Sequence, residues 1–457
     1  MKILIYVSTP LLAVHLGYEL EIAKQHIKKG DDVYFLVCDK SMLSCDLNEN
    51  HDSFSCDYCV LRLEHGLDLI NFDKSKVYKL ELSKFIKYFD IPNFESVQEL
   101  KKFEYDNLDV GSCTASIMIT GYRDCEFDLN SKFAKIRCRN SIYTAYAIYQ
   151  SVLYHLKKIN PDIFYVHNAR TSIKRPALRS GQKLGIKTIC FDSGYKINQI
   201  KLIENTYMHD IKVNKKHIKD FWENAKYTFN EKKEIARKFY LEQKENNFTK
   251  NFIYKLPDNF DKSKTNIAIF NSSEDEMESI DSWKDTFYNR QIEVISYLVN
   301  NYPQINFYLR VHPNLKDLNN SQTKAIDKLK YDNLVIINAN SKLSSYKLLD
   351  NCNKIVTFGS TIGIEANYYN KPSILVGRSF YEHLNVCYVA KSYNDLDKFI
   401  TSDLIPKPKL GSYKYAYWQV KNNIDLEYWK SNDAICNGSF DGQSMQPNKK
   451  DILLLRQ

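Results

Sequence analysis

Long apolar runs, low-complexity tracts and a cleavable leader are all missing from this sequence. No stretch reaches the roughly 18 apolar residues that a membrane-spanning helix needs. The apolar start of the chain is interrupted by His15 and Glu19, and no small-residue cleavage site follows it. We therefore expect neither an integral membrane protein nor a secreted one, and the sequence predicts a cytoplasmic protein.

The sequence also lacks the signs of a disulfide framework and of a nucleic-acid-binding surface. Its 11 Cys residues are odd in number and irregularly spaced, which fits a reducing compartment better than a set of disulfides. Lys and Arg exceed Asp and Glu by 64 to 55, but no basic stripe alternates with aromatic residues. The net charge of +9 predicts a mild attraction to nucleotides or phospholipid surfaces, and no nucleic-acid partner.

The alternation of strand and helix patterns predicts two α/β domains. A length of 457 residues exceeds what one core usually holds. Strands at Lys2–Val7 and Val33–Cys38 flank a helix at Leu11–Ile27, which is a βαβ unit. A second alternating series begins at Asn266, and the stretch 70–140 fits either helices or loops. The predicted division is a first domain at 1–205 with a Cys-rich loop at 38–59, a helical connector at 206–264, and a second domain at 265–457 with an aromatic C-terminal segment.

The fold class that follows is α/β, with two Rossmann-like, doubly wound domains facing a cleft. In such sheets ligands bind outside the carboxyl ends of the strands. We therefore searched these positions for polar turns.

One such turn follows the strand at Ile355–Phe358, where Gly359 precedes the hydroxyls of Ser360 and Thr361. Exposed amides at the start of a helix favour an anion, and the hydroxyls add donors. Glu365 lies four residues after Thr361 on the same helical face, where it suits a ribose or sugar hydroxyl better than a phosphate. An ordinary N-cap with a helper Glu explains the same residues, so both interpretations stay open.

Two further strand ends favour a phosphate-binding site. Arg310 offers a charged fork for phosphate, His312 offers a ring N–H, and Pro313 ends the strand. A lone His that caps the backbone is the alternative for His312. Ser272, in an Asn-Ser-Ser turn after another strand, resembles the Ser360 turn in type. Three polar turns in one predicted sheet favour the phosphate-binding interpretation.

These motifs resemble a known family. "RVHP" followed by "FGSTIGIEANYYNKPSI" is similar to the nucleotide-sugar-binding half of bacterial capsule and O-antigen glycosyltransferases of the GT-B architecture. The strongest likeness is to capsular polysaccharide synthesis proteins related to Kdo transferases; bacterial sialyltransferases and teichoic-acid glycerophosphotransferases share the motif types. The resemblance implies that His312, Ser360 and Thr361 hold the donor phosphate, and that Glu365 faces the donor's ribose or sugar.

A segment of the first half resembles the same family. There an Asn-Gly-Arg turn precedes a helix, a strand and an acidic turn; here the turn is Asn168-Ala169-Arg170, and the acid is Asp192 where Glu is expected. The resemblance implies an acceptor-side role for Asn168 and Arg170, and Asp192 as the general base for an acceptor hydroxyl. A turn-forming Asp is the alternative; Glu19 and His15 are then the next candidates for the base.

A cluster of cysteines raises a separate question. A tetrahedral structural zinc site needs four thiolates or imidazoles close together, and a polar loop with little core gains from such a staple. Unpaired thiols or a redox pair are the alternatives, and His51 is a substitute ligand. The candidate ligands are Cys38, Cys45, Cys56 and Cys59.

The expected function is transfer of a sugar from a nucleotide-activated donor to a growing, lipid-linked capsule, O-antigen or lipopolysaccharide glycan. Such an acceptor implies peripheral contact with the inner face of the cytoplasmic membrane. No D-x-D motif stands at a strand end, so we expect no catalytic metal. Alditol-phosphate transfer, nucleotide-sugar epimerisation and a non-catalytic binding protein stay open as alternatives.

Overall fold

The computed structural model of the chain describes residues 1–249, 252–283, 286–432, 437–448, 451–452 and 455. Its strands are β1 (Lys2–Val7), β2 (Asp32–Val37), β3 (Val77–Lys79), β4 (Ile163–His167), β5 (Lys187–Ser193), β6 (Gln199–Glu204), β7 (Asn266–Phe270), β8 (Asn306–Arg310), β9 (Leu334–Ile337), β10 (Lys354–Thr357), β11 (Ser373–Leu375), β12 (Tyr388–Val389), β13 (Ile424–Asp425), β14 (Trp429–Ser431), β15 (Gly438–Phe440) and β16 (Gln443–Ser444).

The helices alternate with these strands along most of the chain. They are α1 (Ala13–Lys28), α2 (Ser53–Leu69), α3 (Val97–Lys101), α4 (Val110–Tyr122), α5 (Lys132–Ile159), α6 (Arg175–Lys183), α7 (Ile211–Glu223), α8 (Phe229–Thr249), α9 (Glu274–Glu278), α10 (Gln291–Asn301), α11 (Ser321–Asp327), α12 (Ser345–Asn351), α13 (Ile362–Tyr368), α14 (Tyr393–Thr401) and α15 (Leu410–Lys421). The stretch 70–140, which fitted helices or loops, contains both: α3, α4 and the start of α5 are separated by irregular segments, and the short strand β3 precedes them.

The chain divides into two units. The first comprises residues 1–121, 128–208 and 422–457, and the second comprises 122–127 and 209–421. Each has its own mainly parallel sheet and its own apolar core. The prediction of two Rossmann-like α/β domains, of the kind that make up the GT-B architecture, is therefore confirmed.

The sheet of the first unit has the order β13-β6-β5-β4-β1-β2-β3. Strands β1 to β5 pair in parallel, whereas β6 is antiparallel to β5. Parallel strands buried on both faces have near-continuous apolar sequences, and the residues Ile3, Leu4, Ile5 and Val7 of β1 are fully buried. The chain leaves β1 first toward β2 and later toward β4, so the topological switch point lies between β1 and β4.

The sheet of the second unit has the order β12-β11-β10-β7-β8-β9, and all its pairs are parallel. Its first strand, β7, lies in the middle, with β8 on one side and β10 on the other. The switch point therefore lies between β7 and β10, and this is where a doubly wound sheet binds its ligand.

The C-terminal boundary differs from the predicted second domain at 265–457. Strand β13 pairs with β6 of the first unit, and Glu21 of α1 accepts backbone N–H groups of Glu427, Tyr428 and Trp429 at 2.8–2.9 Å. The Trp429 ring is fully buried against Gly17, where a Cβ would come within 2.2 Å of it. The aromatic segment therefore completes the core of the first unit. Several of the last residues lie outside the described part of the chain.

The predicted connector at 206–264 is helical, as expected, but from residue 209 it belongs to the second unit. Helix α8 packs on α15, and the Tyr240 hydroxyl donates to the Ser412 carbonyl at 2.9 Å. Residues 122–127 also belong to this unit, because Asp124 accepts the backbone N–H of Ser321 at 2.9 Å at the start of α11.

Among the described residues, no helix is both long enough and apolar enough to cross a lipid bilayer.

Candidate functional site

Each unit carries a cluster of polar side chains at the carboxyl edge of its sheet, beside its switch point. In the second unit this cluster, called here the Ser/His cluster, follows the adjacent strands β10, β7 and β8. Its members are Ser272, His312, Ser360 and Thr361.

The turn after β10 depends on Gly359. Its φ is +125°, and a Cβ would lie 2.5 Å from the Arg378 carbonyl oxygen, so only glycine fits without strain. The Tyr381 hydroxyl donates to the Ser360 carbonyl at 2.5 Å. This buried tyrosine supports the turn from the protein interior.

The two hydroxyls of this turn are not used as a strong helix cap. Thr361 occupies the N-cap position of α13 without a side-chain cap hydrogen bond, and Ser360 Oγ accepts the Ile362 N–H only at 3.5 Å. Thr361 is exposed and Ser360 is partly exposed. Because α13 has only seven residues, the polar groups that this turn offers are its hydroxyls more than a helix N-terminus.

His312 has a defined tautomer. Its Nδ1 accepts the backbone N–H of Asn314 at 3.3 Å, so in the neutral ring the proton lies on Nε2. Burial lowers the pKa of His312, which the carboxyls of Glu276 and Asp275 oppose and the charges of Arg310 and Arg123 reinforce. The ring is therefore a neutral N–H donor at pH 7. Through Nδ1, His312 also caps the 3₁₀ turn that follows it. The alternative of a backbone-capping His is therefore compatible with an Nε2–H that faces a ligand.

Arg310 does not match its predicted role as a phosphate fork. Its Nη1 donates to the Asn338 carbonyl at 2.6 Å, and its Nη2 donates to the Ser341 carbonyl at 2.9 Å. The side chain is buried, and burial lowers the pKa of Arg310 to about 10. The guanidinium therefore holds the loop between β9 and α12 and is not presented to a ligand.

Glu365 also differs from its predicted position facing a ribose or sugar. It is 6% exposed, and it accepts the Tyr346 hydroxyl at 2.5 Å. Burial raises the pKa of Glu365, while hydrogen bonds from Tyr346 and Thr361 lower it. Glu365 lies one turn after Thr361 on α13, as the spacing predicted, but its side chain is buried whereas Thr361 is exposed.

Ser272 is buried and positioned through its backbone. Its N–H donates to Gln291 Oε1 at 3.0 Å, and its carbonyl accepts Gln322 Nε2 at 2.8 Å. These contacts fix the end of β7 beside the switch point.

Sequence patterns missed two arginines of this unit. Arg123 donates through Nε to Asp275 at 2.6 Å and through Nη2 to the Asn314 carbonyl at 3.0 Å, next to His312. Arg378 follows β11 and pairs with both carboxylate oxygens of Glu382 at 2.9 Å. Arg123 lies far from the rest of the cluster in the sequence, in a stretch without strand signals. Arg378, however, follows an apolar strand and could have been found as another strand-end residue.

In the first unit the corresponding cluster centres on Asp192 at the end of β5. Asp192 Oδ2 accepts Asn168 Nδ2 at 2.5 Å, and Oδ1 accepts the backbone N–H of Ser193 at 2.8 Å. The carboxylate remains 25% exposed. The structure thus brings the predicted base and the predicted Asn168 together.

The Asn-Ala-Arg turn has an unusual backbone. Asn168 and Ala169 have φ values of +56° and +61°, the left-handed region that disfavours a Cβ. The glycine of the related pattern would adopt it without cost, and here Ala169 adopts it in a buried position. Arg170 Nη2 lies 3.5 Å from Thr120 Oγ1.

Two histidines and a lysine that carried no motif complete this cluster. His167 Nε2 lies 3.5 Å from Asp192 Oδ1, and Lys174 Nζ lies 3.1 Å from His167 Nδ1. The His15 ring is 4.0 Å from the His167 ring, centroid to centroid, and Thr9 Oγ1 lies 2.9 Å from His15 Nδ1. His15 was an alternative base in the sequence. Only the fold shows that it lies beside the Asp192 group.

Burial sets the protonation of these groups. It lowers the pKa of His15 and His167, and the nearby Lys174 charge lowers both further, although Asp192 opposes it. Lys201 of β6 lies opposite Asp192 of β5 in the antiparallel strand pair. Burial lowers the pKa of Lys201 to about 8, although the charge of Asp192 acts to raise it. Burial likewise raises the pKa of Glu19, the other alternative base.

The predicted Cys-rich loop at 38–59 is a loop only as far as α2, which contains Cys56 and Cys59. The four cysteines line one cavity of about 50 Å³ together with His51. Burial raises the pKa of Cys38 and Cys45, and it raises the pKa of Cys59 to about 12, whereas zinc binds thiolates. Within the described residues, no group of three or more His, Cys, Asp or Glu side chains is placed to hold a metal ion. The predicted ligands Cys38, Cys45, Cys56 and Cys59 therefore do not fit a zinc ion in this geometry, and the zinc site stays a prediction.

Comparison with known proteins gives one family match. Residues 205–410 match the family model described as capsule polysaccharide biosynthesis protein. No curated protein matches the chain.

Solved structures with similar folds share little sequence with this chain. The KpsC beta Kdo 2,4 transferase of Thermosulfurimonas dismutans is 12% identical, with a TM-score of 0.41 over 65% of this chain and 87% of that one. The KpsC beta Kdo 2,7 transferase of the same organism is 14% identical, with a TM-score of 0.40 over 67% and 90%. The UDP-GlcNAc 2-epimerase of Neisseria meningitidis, bound to UDP-GlcNAc, is 13% identical, with a TM-score of 0.28 over 92% and 94%.

Proposed function

Residues 205–410 carry a capsule polysaccharide biosynthesis domain, and from this we propose that the chain is a glycosyltransferase of capsule polysaccharide synthesis. It transfers a sugar from a nucleotide-activated donor to a growing surface polysaccharide. One observation carries the proposal: all four members of the Ser/His cluster lie within the matched residues and at the switch point of one sheet.

The donor phosphates bind to the Ser/His cluster. His312 supplies a neutral Nε2–H, and Ser360 supplies a hydroxyl donor on a turn that Gly359 allows. The Thr361 hydroxyl, which hydrogen-bonds Glu365, joins this set by turning from Glu365 to the phosphate. Donors fixed in advance stabilise the negative charge that develops on the nucleotide as it leaves. The burial of Arg310 and Glu365 removes them from this set, so the cluster binds phosphate mainly through neutral donors.

Asp192 removes the proton from the acceptor hydroxyl. A general base needs a carboxylate that is held in place and reachable by substrate. Contacts with Asn168 and Ser193 hold the Asp192 carboxylate in place, and its partial exposure makes it reachable by substrate.

The finer proposal concerns the acceptor and its place in the cell. We take the acceptor to be a lipid-linked glycan, of capsule or O-antigen type, presented at the inner face of the cytoplasmic membrane. The net charge of +9 supports contact with an anionic leaflet.

A binding and turnover panel tests the activity. Purified protein is heated with CMP-, UDP-, GDP- and CDP-linked compounds, and one nucleotide class is expected to raise the melting temperature. A ligand at 100 times its Kd adds about 2.7 kcal/mol to the unfolding free energy. His312→Ala is the matched variant and should lose this stabilisation.

Product analysis separates the alternatives within the same fold. Transfer of the sugar to a defined lipid-linked acceptor supports the proposal. Transfer of an alditol phosphate, or epimerisation of the donor without transfer, would replace it with one of those activities. Indifference to every nucleotide class would contradict an enzyme that uses nucleotide-activated donors.

A further inference from the structure

We propose that Lys174 and His167 form a positioning relay that fixes the Asp192 carboxylate, by holding His167 in one tautomer with its N–H directed at Asp192. This inference rests on the proposed function, because that function makes Asp192 the base. His167 and Lys174 are positioning residues, since the relay acts through Asp192.

The first link is the contact between Lys174 and His167. Lys174 Nζ lies 3.1 Å from His167 Nδ1, and an ammonium group has only donors. The ring nitrogen must therefore accept, which leaves Nδ1 without a proton. A neutral imidazole carries one proton, so it lies on Nε2.

The second link is the contact between His167 and Asp192. The protonated Nε2 lies 3.5 Å from Asp192 Oδ1, a distance of electrostatic attraction more than of a fully formed hydrogen bond. In the opposite tautomer the Nε2 lone pair would face the carboxylate and repel it. Lys174 thus decides whether His167 attracts or repels the base.

Lys174 lies among buried carboxyls. It is 6% exposed, and its charge acts on Glu19 of α1 and on Asp46 of the loop after β2, lowering the pKa of both against the larger effect of burial. Neither carboxyl oxygen of Glu19 has a hydrogen-bond partner in the described structure.

The remaining neighbours keep His167 neutral. Burial and Lys174 lower the pKa of His167, with Asp192 opposing them, and His15, whose ring lies 4.0 Å away, also has a lowered pKa. A neutral His167 has the single Nε2 proton that the relay needs.

The relay moves no proton during the reaction. The acceptor hydroxyl gives its proton to Asp192, while His167 keeps its Nε2 proton and Lys174 keeps its charge. The carboxylate accepts hydrogen bonds from N–H groups of Asn168 and Ser193, and the N–H of His167 attracts it from 3.5 Å. Supporting contacts of this kind hold a reactive group in its productive geometry.

The tautomer of His167 can be measured in the wild-type full chain, without any variant that might fail to fold. Nitrogen-15 NMR of histidine-labelled protein should show an unprotonated Nδ1 and a protonated Nε2 for His167 at neutral pH. The resonance is assigned by its disappearance in His167→Gln. A proton on Nδ1, or on both nitrogens, overturns the proposal whether or not any activity has been found.

Kinetics of two Lys174 variants test the coupling to Asp192. Lys174→Met should lose the single tautomer and lower kcat about 10- to 100-fold, the range seen for outer-shell partners of a site residue, with the donor KM unchanged. Lys174→Arg keeps a donor and should restore both the tautomer and most of kcat. Lys183→Met, on the exposed side of α6, is the matched control and should change neither.

Loss of the tautomer in Lys174→Met with unchanged kcat would overturn the coupling. A wild-type protein with no transferase activity would instead defeat the proposed function, while the NMR measurement would still decide the contact between Lys174 and His167.

Discussion

Arg310 and His312 lie two residues apart at the end of β8, yet their side chains have different partners. Arg310 donates from Nη1 and Nη2 to two backbone carbonyls, whereas the His312 ring accepts a backbone N–H at Nδ1. A guanidinium bonded to carbonyls supports a loop, and a ring with an N–H to spare can bind a ligand. We therefore expect substitution of His312 to affect donor binding and substitution of Arg310 to affect stability.

Replacing His312 should weaken donor binding without unfolding the protein. Loss of one hydrogen bond to a charged phosphate costs about 1.5–3 kcal/mol, which is roughly a 10- to 100-fold rise in Kd. Titration calorimetry of His312→Ala with the nucleotide that stabilises the wild type measures this. His65→Gln, in α2 of the first unit, is the control, and equal affinity of His312→Ala and wild type would remove His312 from the phosphate site.

Replacing Arg310 should destabilise the fold and leave donor binding unchanged. Arg310→Met leaves the carbonyls of Asn338 and Ser341 without their charged donor, at a cost of about 3 kcal/mol. Denaturant unfolding of the variant gives this value. A stable variant that has lost donor affinity would return Arg310 to the predicted role of a phosphate fork.

Asp192→Asn should lower turnover about 10²–10⁴-fold, the usual contribution of a general base. Donor affinity should stay unchanged, since the phosphate donors belong to other residues. Asn has the size of Asp and can still accept the Ser193 N–H, so the melting profile should be retained. Asp258→Asn, at a side chain 93% exposed, is the control; near-normal turnover of Asp192→Asn would leave Asp192 as a turn residue.

At the scale of elements, α6 is attached to the start of α4 through one carboxylate. Arg179 donates to Asp109 from Nε at 3.0 Å and from Nη2 at 2.6 Å, and Arg175 Nη1 lies 3.2 Å away. The two arginines are one helical turn apart, so they approach Asp109 from the same face of α6. Burial by itself would raise the pKa of Asp109, but the arginines outweigh it and lower the pKa to about 2.

This contact predicts a loss of stability in acid. A carboxyl whose folded pKa is depressed contributes stability above its unfolded pKa of 3.8, and the contribution disappears as the pH falls through the folded value of about 2. Its size is about 2 kcal/mol. Urea unfolding of wild type and Asp109→Asn between pH 5 and about 2 should show curves that converge in acid; a constant difference between them would contradict this assignment.

At the scale of the whole molecule, each unit places its polar cluster beside the switch point of its own sheet. In the first unit Asp192 and His167 follow β5 and β4, and in the second Ser360 and Ser272 follow β10 and β7. The geometry of doubly wound sheets explains this, because chain connections on both sides leave an opening at that point.

The charge of the whole molecule predicts weak binding to anionic membranes. With a net charge of +9, the protein should sediment with vesicles rich in anionic phospholipid at low salt and detach at about 0.5 M salt, where charges are screened within a few ångströms. Vesicles of neutral phospholipid are the control. Equal binding to both, or none to either, would remove the proposed contact with an anionic leaflet.

The sequence by itself determined the strands and the residues that follow them. Buried parallel strands need continuous apolar runs, and these are local patterns, so the edge positions of His312, Ser360 and Asp192 could be predicted. A shift of one or two residues at an element boundary, as at α1, did not change which side chains reached the edge.

Only the tertiary structure decided which of those polar groups are available and what surrounds them. Arg310 and Glu365 meet a backbone loop and Tyr346 that lie elsewhere in the chain. Lys174 and His167 join Asp192 through contacts that no spacing records, and the segment at 422–457 joins the first unit through Trp429. Hydrogen bonding and burial are properties of groups brought together by the fold, whereas periodicity is a property of the chain alone.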